Sequence, residues 1–217
     1  MKLSKTDSLV ENLSTIGLVP LITLKDSHDA VPLAKALAGA DTPVAEITFR
    51  SGAAIAGMEQ IHEKMPEIIL LAGTVHEVNM AKNAISAGCS GIVTPALNTK
   101  VVKWCIENDV PVIPGIATPT DIECVRELGL RYMKFFPAVA YGGVQTLTSL
   151  QAPFPDVSFL PTGGINLDNM ISFAKLKNVF AVGGSFPVPN QAYEAHDWDA
   201  VTRHCKKMRM ILSSALD

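Results

Sequence analysis

The stretch PVAEITFR, residues 43–50, carries two alternating sets of side chains. Val44, Glu46, Thr48 and Arg50 share one parity, and Ala45, Ile47 and Phe49 share the other. Successive side chains of a β-strand point to opposite faces. The apolar set suits a covering layer of helices, so the polar set must face an enclosed interior. Glu46 and Arg50 would stand ~13 Å apart along such a strand, too far for a simple local pair.

Seven more runs of this kind recur at intervals of 20 to 25 residues: LVPLITL (18–24), IILLAGTV (68–75), GIVTPAL (91–97), PVIPGIA (111–117), YMKFFPA (132–138), VSFLPTG (157–163) and VFAVGGS (179–185). Short apolar runs ending in small or polar residues are the pattern of parallel strands buried on both faces. Between them lie helical signatures. Val31, Ala34, Leu37 and Ala38 fall on one face of a helix within 27–40. Asn98 can cap a helix carrying Val101, Val102, Cys105 and Ile106. Thr118-Pro119-Thr120-Asp121 sets a cap residue and an early proline before Ile122, Val125 and Leu128. Gly88 and Gly129 stand where helices should stop.

Eight strand–helix alternations predict an α/β fold, a (β/α)8 TIM barrel, with an N-terminal helix over residues 4–15 plugging its floor. A doubly wound open sheet is the runner-up, but no G-x-G-x-x-G follows the first strand, which ends LITLKDS. No linker or low-complexity tract divides the chain, so residues 1–217 read as one barrel domain.

The 217 residues are 48% hydrophobic with a formal net charge of −3, which gives no reason to expect nucleic acid or an anionic membrane as partner. No stretch approaches the ~20 uninterrupted apolar residues of a membrane span. The N-terminus lacks the apolar core of a signal peptide and reads as an amphipathic helix instead. Cys89, Cys105, Cys124 and Cys205 form no C-x-x-C pair and read as reduced, mostly structural thiols, so a cytoplasmic protein is expected. The five histidines show no ligand spacing, so no metal is expected, and no cofactor either.

The chemistry of such barrels lies at the C-terminal strand ends. In RYMKFFPA (131–138), Tyr132, Lys134 and Phe136 share one face, while Met133 and Phe135 suit the helix layer. Lys134 could simply snorkel to water, and the polar set of residues 44–50 could merely fill the interior. A lysine reaching inward is instead desolvated, and a neighbouring cation such as Arg50 would further favour the neutral amine. That is the nucleophile Schiff-base chemistry requires. LPTGGIN (160–166), running into a helix near Leu167, and AVGGSF (181–186) place glycine pairs after strands seven and eight, where this fold binds phosphate. Thr162 and Ser185 can add hydroxyls there, and Thr74 could bond a carboxylate. Pro95, Pro114 and Pro137 shape loops, and His76 reads as exposed.

VPLITL, AVPLAKAL, EITFR, AGTV, TPAL, PVIPGIATPTD, KFFPA, PTGGI and VGGS occur in this order along the chain. With these motifs the sequence resembles the bacterial 2-keto-3-deoxy-6-phosphogluconate (KDPG) aldolase family, which includes 4-hydroxy-2-oxoglutarate (KHG) aldolases. The resemblance implies a metal-free, cofactor-free class I aldolase acting on a small keto-acid phosphate, a homotrimer, and a place in the Entner–Doudoroff pathway. It implies that Lys134 forms the iminium and Glu46 shuttles protons. Arg50 and Thr74 would hold the pyruvate carboxylate. Gly163, Gly164, Gly184 and Ser185 would bind phosphate, with Phe136, Pro95 and Thr162 lining the pocket. Ala96, Val139, Tyr141 and Phe186-Pro187 depart from the family pattern and leave the preferred substrate open among KDPG, its galactonate epimer and KHG. A phosphate-binding barrel isomerase or synthase, with Lys134 only electrostatic, and a non-catalytic sugar-phosphate sensor are the competing readings.

Overall fold

The computed structural model describes residues 4–216; residues 1–3 and 217, part of the expected domain, lie outside the described residues. The strands are β1 (Leu18–Ile22), β2 (Val44–Thr48), β3 (Ile69–Gly73), β4 (Gly91–Val93), β5 (Val112–Ile113), β6 (Gly115–Ile116), β7 (Tyr132–Phe135), β8 (Ser158–Pro161) and β9 (Val182–Gly184). The helices are α1 (Lys5–Ile16), α2 (Ala30–Gly39), α3 (Ala54–Lys64), α4 (Val78–Ser86), α5 (Thr99–Glu107), α6 (Pro119–Glu127), α7 (Gly143–Gln151), α8 (Met170–Ala174), α9 (Asn190–Glu194) and α10 (Trp198–Leu216).

Eight runs yield nine strands because Pro114 interrupts the fifth. Proline has no N–H for the ladder, so β5 and β6 pair on different sides: β5 with β4, β6 with β7. Every pairing is parallel, in the orders β5-β4-β3-β2-β1-β9 and β6-β7-β8. The two ladders meet at Pro114 and, on the other side, at bridges Phe159–Val179 and Thr162–Gly183. The result is the closed cylinder of a (β/α)8 barrel.

The alternation in residues 44–48 decides inside from outside. Val44 packs with Leu9, Leu13 and Ile16 of α1 and with Val19, Leu71, Val93, Ile113 and Leu160, forming an apolar floor. Ala45 and Ile47 join the outer core with Leu33 and Leu37 of α2 and Met58 and Ile61 of α3. Burying Leu13 completely is worth about 1.5–3 kcal/mol. A Ser4–Asp7 capping box starts α1, and Gly17, at φ 72°, ends it. The caps expected at Asn98 and Thr118 form as well: Asn98 accepts from the N–H groups of Lys100 and Val101, and Thr118 forms a capping box with Asp121.

Two expectations are corrected. Arg50 does not extend the inward face of β2; it lies exposed in a turn, its N–H donating to Thr48 O at 2.8 Å. The helix after Gly163-Gly164 starts at Met170, not near Leu167. Asn166 Oδ1 accepts from the N–H groups of Asp168 and Asn169, while Asn169 Oδ1 accepts from the N–H of Asn166. These side-chain bonds offer the backbone a turn in place of a helix.

Candidate active site

Above the apolar floor the lumen turns polar. Glu46 projects from β2 and Lys134 from β7, on opposite walls, and Lys134 Nζ lies 2.9 Å from Glu46 Oε1. Their side chains are 4% and 1% exposed. Two ions this deep need each other, because an unpaired buried charge costs several kcal/mol. Of the two charged neighbours expected for the Lys134 ammonium, the Glu46 carboxylate is in place and the exposed Arg50 guanidinium is not. The Phe136 ring adds a weak cation–π contact, its centroid 5.7 Å from Nζ.

Room for this pair comes from residues without side chains. A Cβ on Gly73 would overlap the Glu46 carboxylate, and one on Gly183 would lie 2.7 Å from Thr162 Oγ1. Among the described residues, Glu46 Oε2 and Thr162 Oγ1 are buried without a hydrogen-bond partner. Leaving such atoms unpaired costs roughly 1–3 kcal/mol each, so the lumen offers a ligand one free carboxylate oxygen and one free hydroxyl.

Thr74 follows β3 with φ 60°. A β-branched residue in the left-handed region is strained by about 1–3 kcal/mol, and such strain concentrates at functional sites. Gly163 (φ 99°) and Gly164 (φ 79°) follow β8, packed against the Phe136 ring and Val139. Val139 N–H donates to Gly163 O, tying the β7–α7 loop to this turn. Arg50 and Ser185 line one cavity of about 320 Å³ together with Thr23, Lys25, Tyr193 and Glu194. Gly184 ends β9 directly beside Ser185.

Pro95 packs its carbonyl region on Gly115, the residue paired with Lys134 across the β6–β7 ladder. It also lines a cleft with Val75, His76 and Ala96. A larger cleft, about 660 Å³, flanks α1 at the floor beside Lys5, Leu9 and Pro111, at the opposite end from the lysine–glutamate pair. Thr23 and Tyr193 escaped the sequence reading. Tyr193 is 168 residues from Lys25, and only the fold brings its hydroxyl to the Lys25 N–H. Among the described residues no group of three His, Cys, Asp or Glu side chains is placed to hold a metal.

The fold and the lumen together define a class: a (β/α)8 barrel with an amine and a carboxylate paired at its centre. A sequence model of the KDPG and KHG aldolase family matches residues 9–204. A 2-dehydro-3-deoxy-phosphogluconate aldolase of Haemophilus influenzae is 38% identical over 91% of this chain and 93% of its own. The KHG/KDPG aldolase of Escherichia coli K12 is 39% identical over 94% and 95%. A crystal structure of the KDPG aldolase of Legionella pneumophila, with pyruvate captured at low pH as a covalent carbinolamine intermediate, superposes with a TM-score of 0.89. It is 32% identical and covers 92% of this chain and 97% of its own. The chain belongs to the KDPG and KHG aldolase family.

Proposed function

We propose that this protein cleaves KDPG to pyruvate and D-glyceraldehyde 3-phosphate, and KHG to pyruvate and glyoxylate, through a Schiff base on Lys134. The observation that carries this reading is the buried 2.9 Å contact between Lys134 Nζ and Glu46 Oε1. At that distance the ammonium can pass a proton to the carboxylate and become the neutral nucleophile.

The amine attacks the C2 ketone to give a carbinolamine. Glu46 returns its proton to the carbinolamine oxygen, which leaves as water, and an iminium remains. Glu46, again a carboxylate, takes the proton of the C4 hydroxyl as the C3–C4 bond breaks. The bond's electrons flow to the iminium nitrogen, the aldehyde leaves, and an enamine forms. Glu46 protonates the enamine carbon, and water releases pyruvate from its imine. Proton transfer by a positioned carboxylate is worth ~10²–10⁴-fold.

Arg50 offers a planar fork to the pyruvate carboxylate, and strained Thr74 adds a hydroxyl at the end of β3. The open turn at Gly163 and Gly164, with Gly184 and Ser185, takes the phosphate; Phe136 and Thr162 line the pocket between. Pro95 lines the pocket with them, its loop packed on Gly115 beside the lysine strand. In the same reading residues 1–217 work as one barrel domain, a homotrimer in the cytoplasm and a step of the Entner–Doudoroff pathway.

A coupled assay for pyruvate release tests the reading. It predicts turnover of KDPG and KHG, with kcat/KM for these two and the galactonate epimer ranking the substrates. No pyruvate from any of the three would overturn it.

A further inference from the structure

Lys25 leaves the C-terminal end of β1 and lines the cavity that Arg50 and Ser185 share. Its ammonium lies 2.7 Å from Glu194 Oε1 at the end of α9. The two side chains are 64% and 59% exposed, and a pair this wet shifts an equilibrium by about fivefold at most. The backbone beneath is held far more firmly. Lys25 N–H donates to Tyr193 Oη at 3.0 Å, and the Tyr193 hydroxyl donates to Asp29 Oδ2 at 2.8 Å. Asp29 and Tyr193 are both buried. The main chain of Lys25 is therefore fixed at the cavity while its ammonium is easily exchanged.

The charged groups lining this cavity are Lys25, Arg50 and Glu194, two cations against one anion. A keto acid with an anionic group at each end would place its carboxylate on Arg50 and its second anion at Gly163, Gly164, Gly184 and Ser185, residues that offer N–H and hydroxyl donors but no positive charge. We propose that Lys25 is a specificity-determining residue: its ammonium leaves Glu194 for the anionic oxygens at the far end of the substrate. Glu194 is then the internal competitor that holds the lysine at the cavity until the substrate arrives. The proposal rests on the aldolase reading and extends it to the choice among tails, phosphate or carboxylate against uncharged.

The test compares steady-state constants for three substrates: KDPG with its phosphate, KHG with its carboxylate, and a 4-hydroxy-2-oxo acid with an uncharged tail. Lys25→Met should raise KM about tenfold or more for the charged tails, the worth of a charge-assisted bond. It should leave kcat, and the uncharged substrate, unchanged. Lys25→Arg should restore the charged tails. Glu194→Gln should lower KM for them by about threefold, as expected for release of an exposed pair. If phosphate and carboxylate tails respond unequally, the tail that responds is the one Lys25 reads. Equal effects on charged and uncharged substrates, or none in either variant, would overturn the proposal. Failure of the wild type to release pyruvate would remove the aldolase reading instead. Calorimetric titration with inorganic phosphate would then still decide, weaker binding by Lys25→Met supporting the lysine and equal binding refuting it.

Discussion

An ammonium and a carboxylate 2.9 Å apart, each at least 96% buried, form the electrostatic centre of this protein. Removing only the carboxylate's capacity to carry protons isolates its role. Glu46→Gln keeps the shape and one acceptor for Lys134, so pyruvate should still bind. We expect kcat to fall by about 10²–10⁴-fold, the contribution of a positioned general acid–base. Unchanged turnover would remove Glu46 from the mechanism. Alternation alone was enough to send Glu46 and Lys134 into the lumen. Parity aimed the lysine at both Glu46 and Arg50, and only Glu46 meets it, because the strand containing Glu46 ends at Thr48 and Arg50 turns away with the loop. Pairing across a barrel joins residues 88 apart, and no local spacing encodes it.

Elements set the room in which that pair acts. Gly73, the last residue of β3, leaves open the space the Glu46 carboxylate occupies. Gly73→Ala should displace the carboxylate while the ladder survives. Overpacking of this kind costs about 1–3 kcal/mol, and kcat/KM should drop at least about tenfold with the far-UV circular dichroism unchanged. Full activity in the alanine variant would mean that the carboxylate position is not fixed by this contact. The strand runs read from sequence were a residue or more too long at several ends, and the difference is functional: Arg50, Thr74, Phe136 and Thr162 lie just past the ends of β2, β3, β7 and β8. Hydrophobic runs do not show where pairing stops. The late start of α8 was likewise hidden, since it depends on two asparagine side chains bonding backbone within 166–169.

At the scale of the molecule, eight runs, the floor helix and the inward parity were all legible, because each rests on periodicity. Closure of the cylinder was inferred from the count of runs and is seen in the bridges between Phe159 and Val179 and between Thr162 and Gly183. The packed shell also has a consequence for pH. Burial pushes the Cys89 and Cys105 thiols up to about 12 and Cys205 to about 11, from an ordinary 9.0. Burial, ahead of its bond to Asp29, likewise pushes Tyr193 up to about 12 from 10.0. The folded chain thus keeps protons that the unfolded chain releases. The stability linked to these groups is full below pH 9 and is lost as pH rises toward about 12. Urea midpoints should fall between about pH 8 and about pH 10.5 with the slope unchanged; a midpoint that holds steady would contradict the burial assigned to these thiols.

The central claim, that Lys134 is the Schiff-base nucleophile, is tested by incubating the protein with pyruvate and borohydride and locating the adduct by peptide mass. We predict a single reduced pyruvate on Lys134. No adduct, or one on Lys25 in its place, would contradict the account.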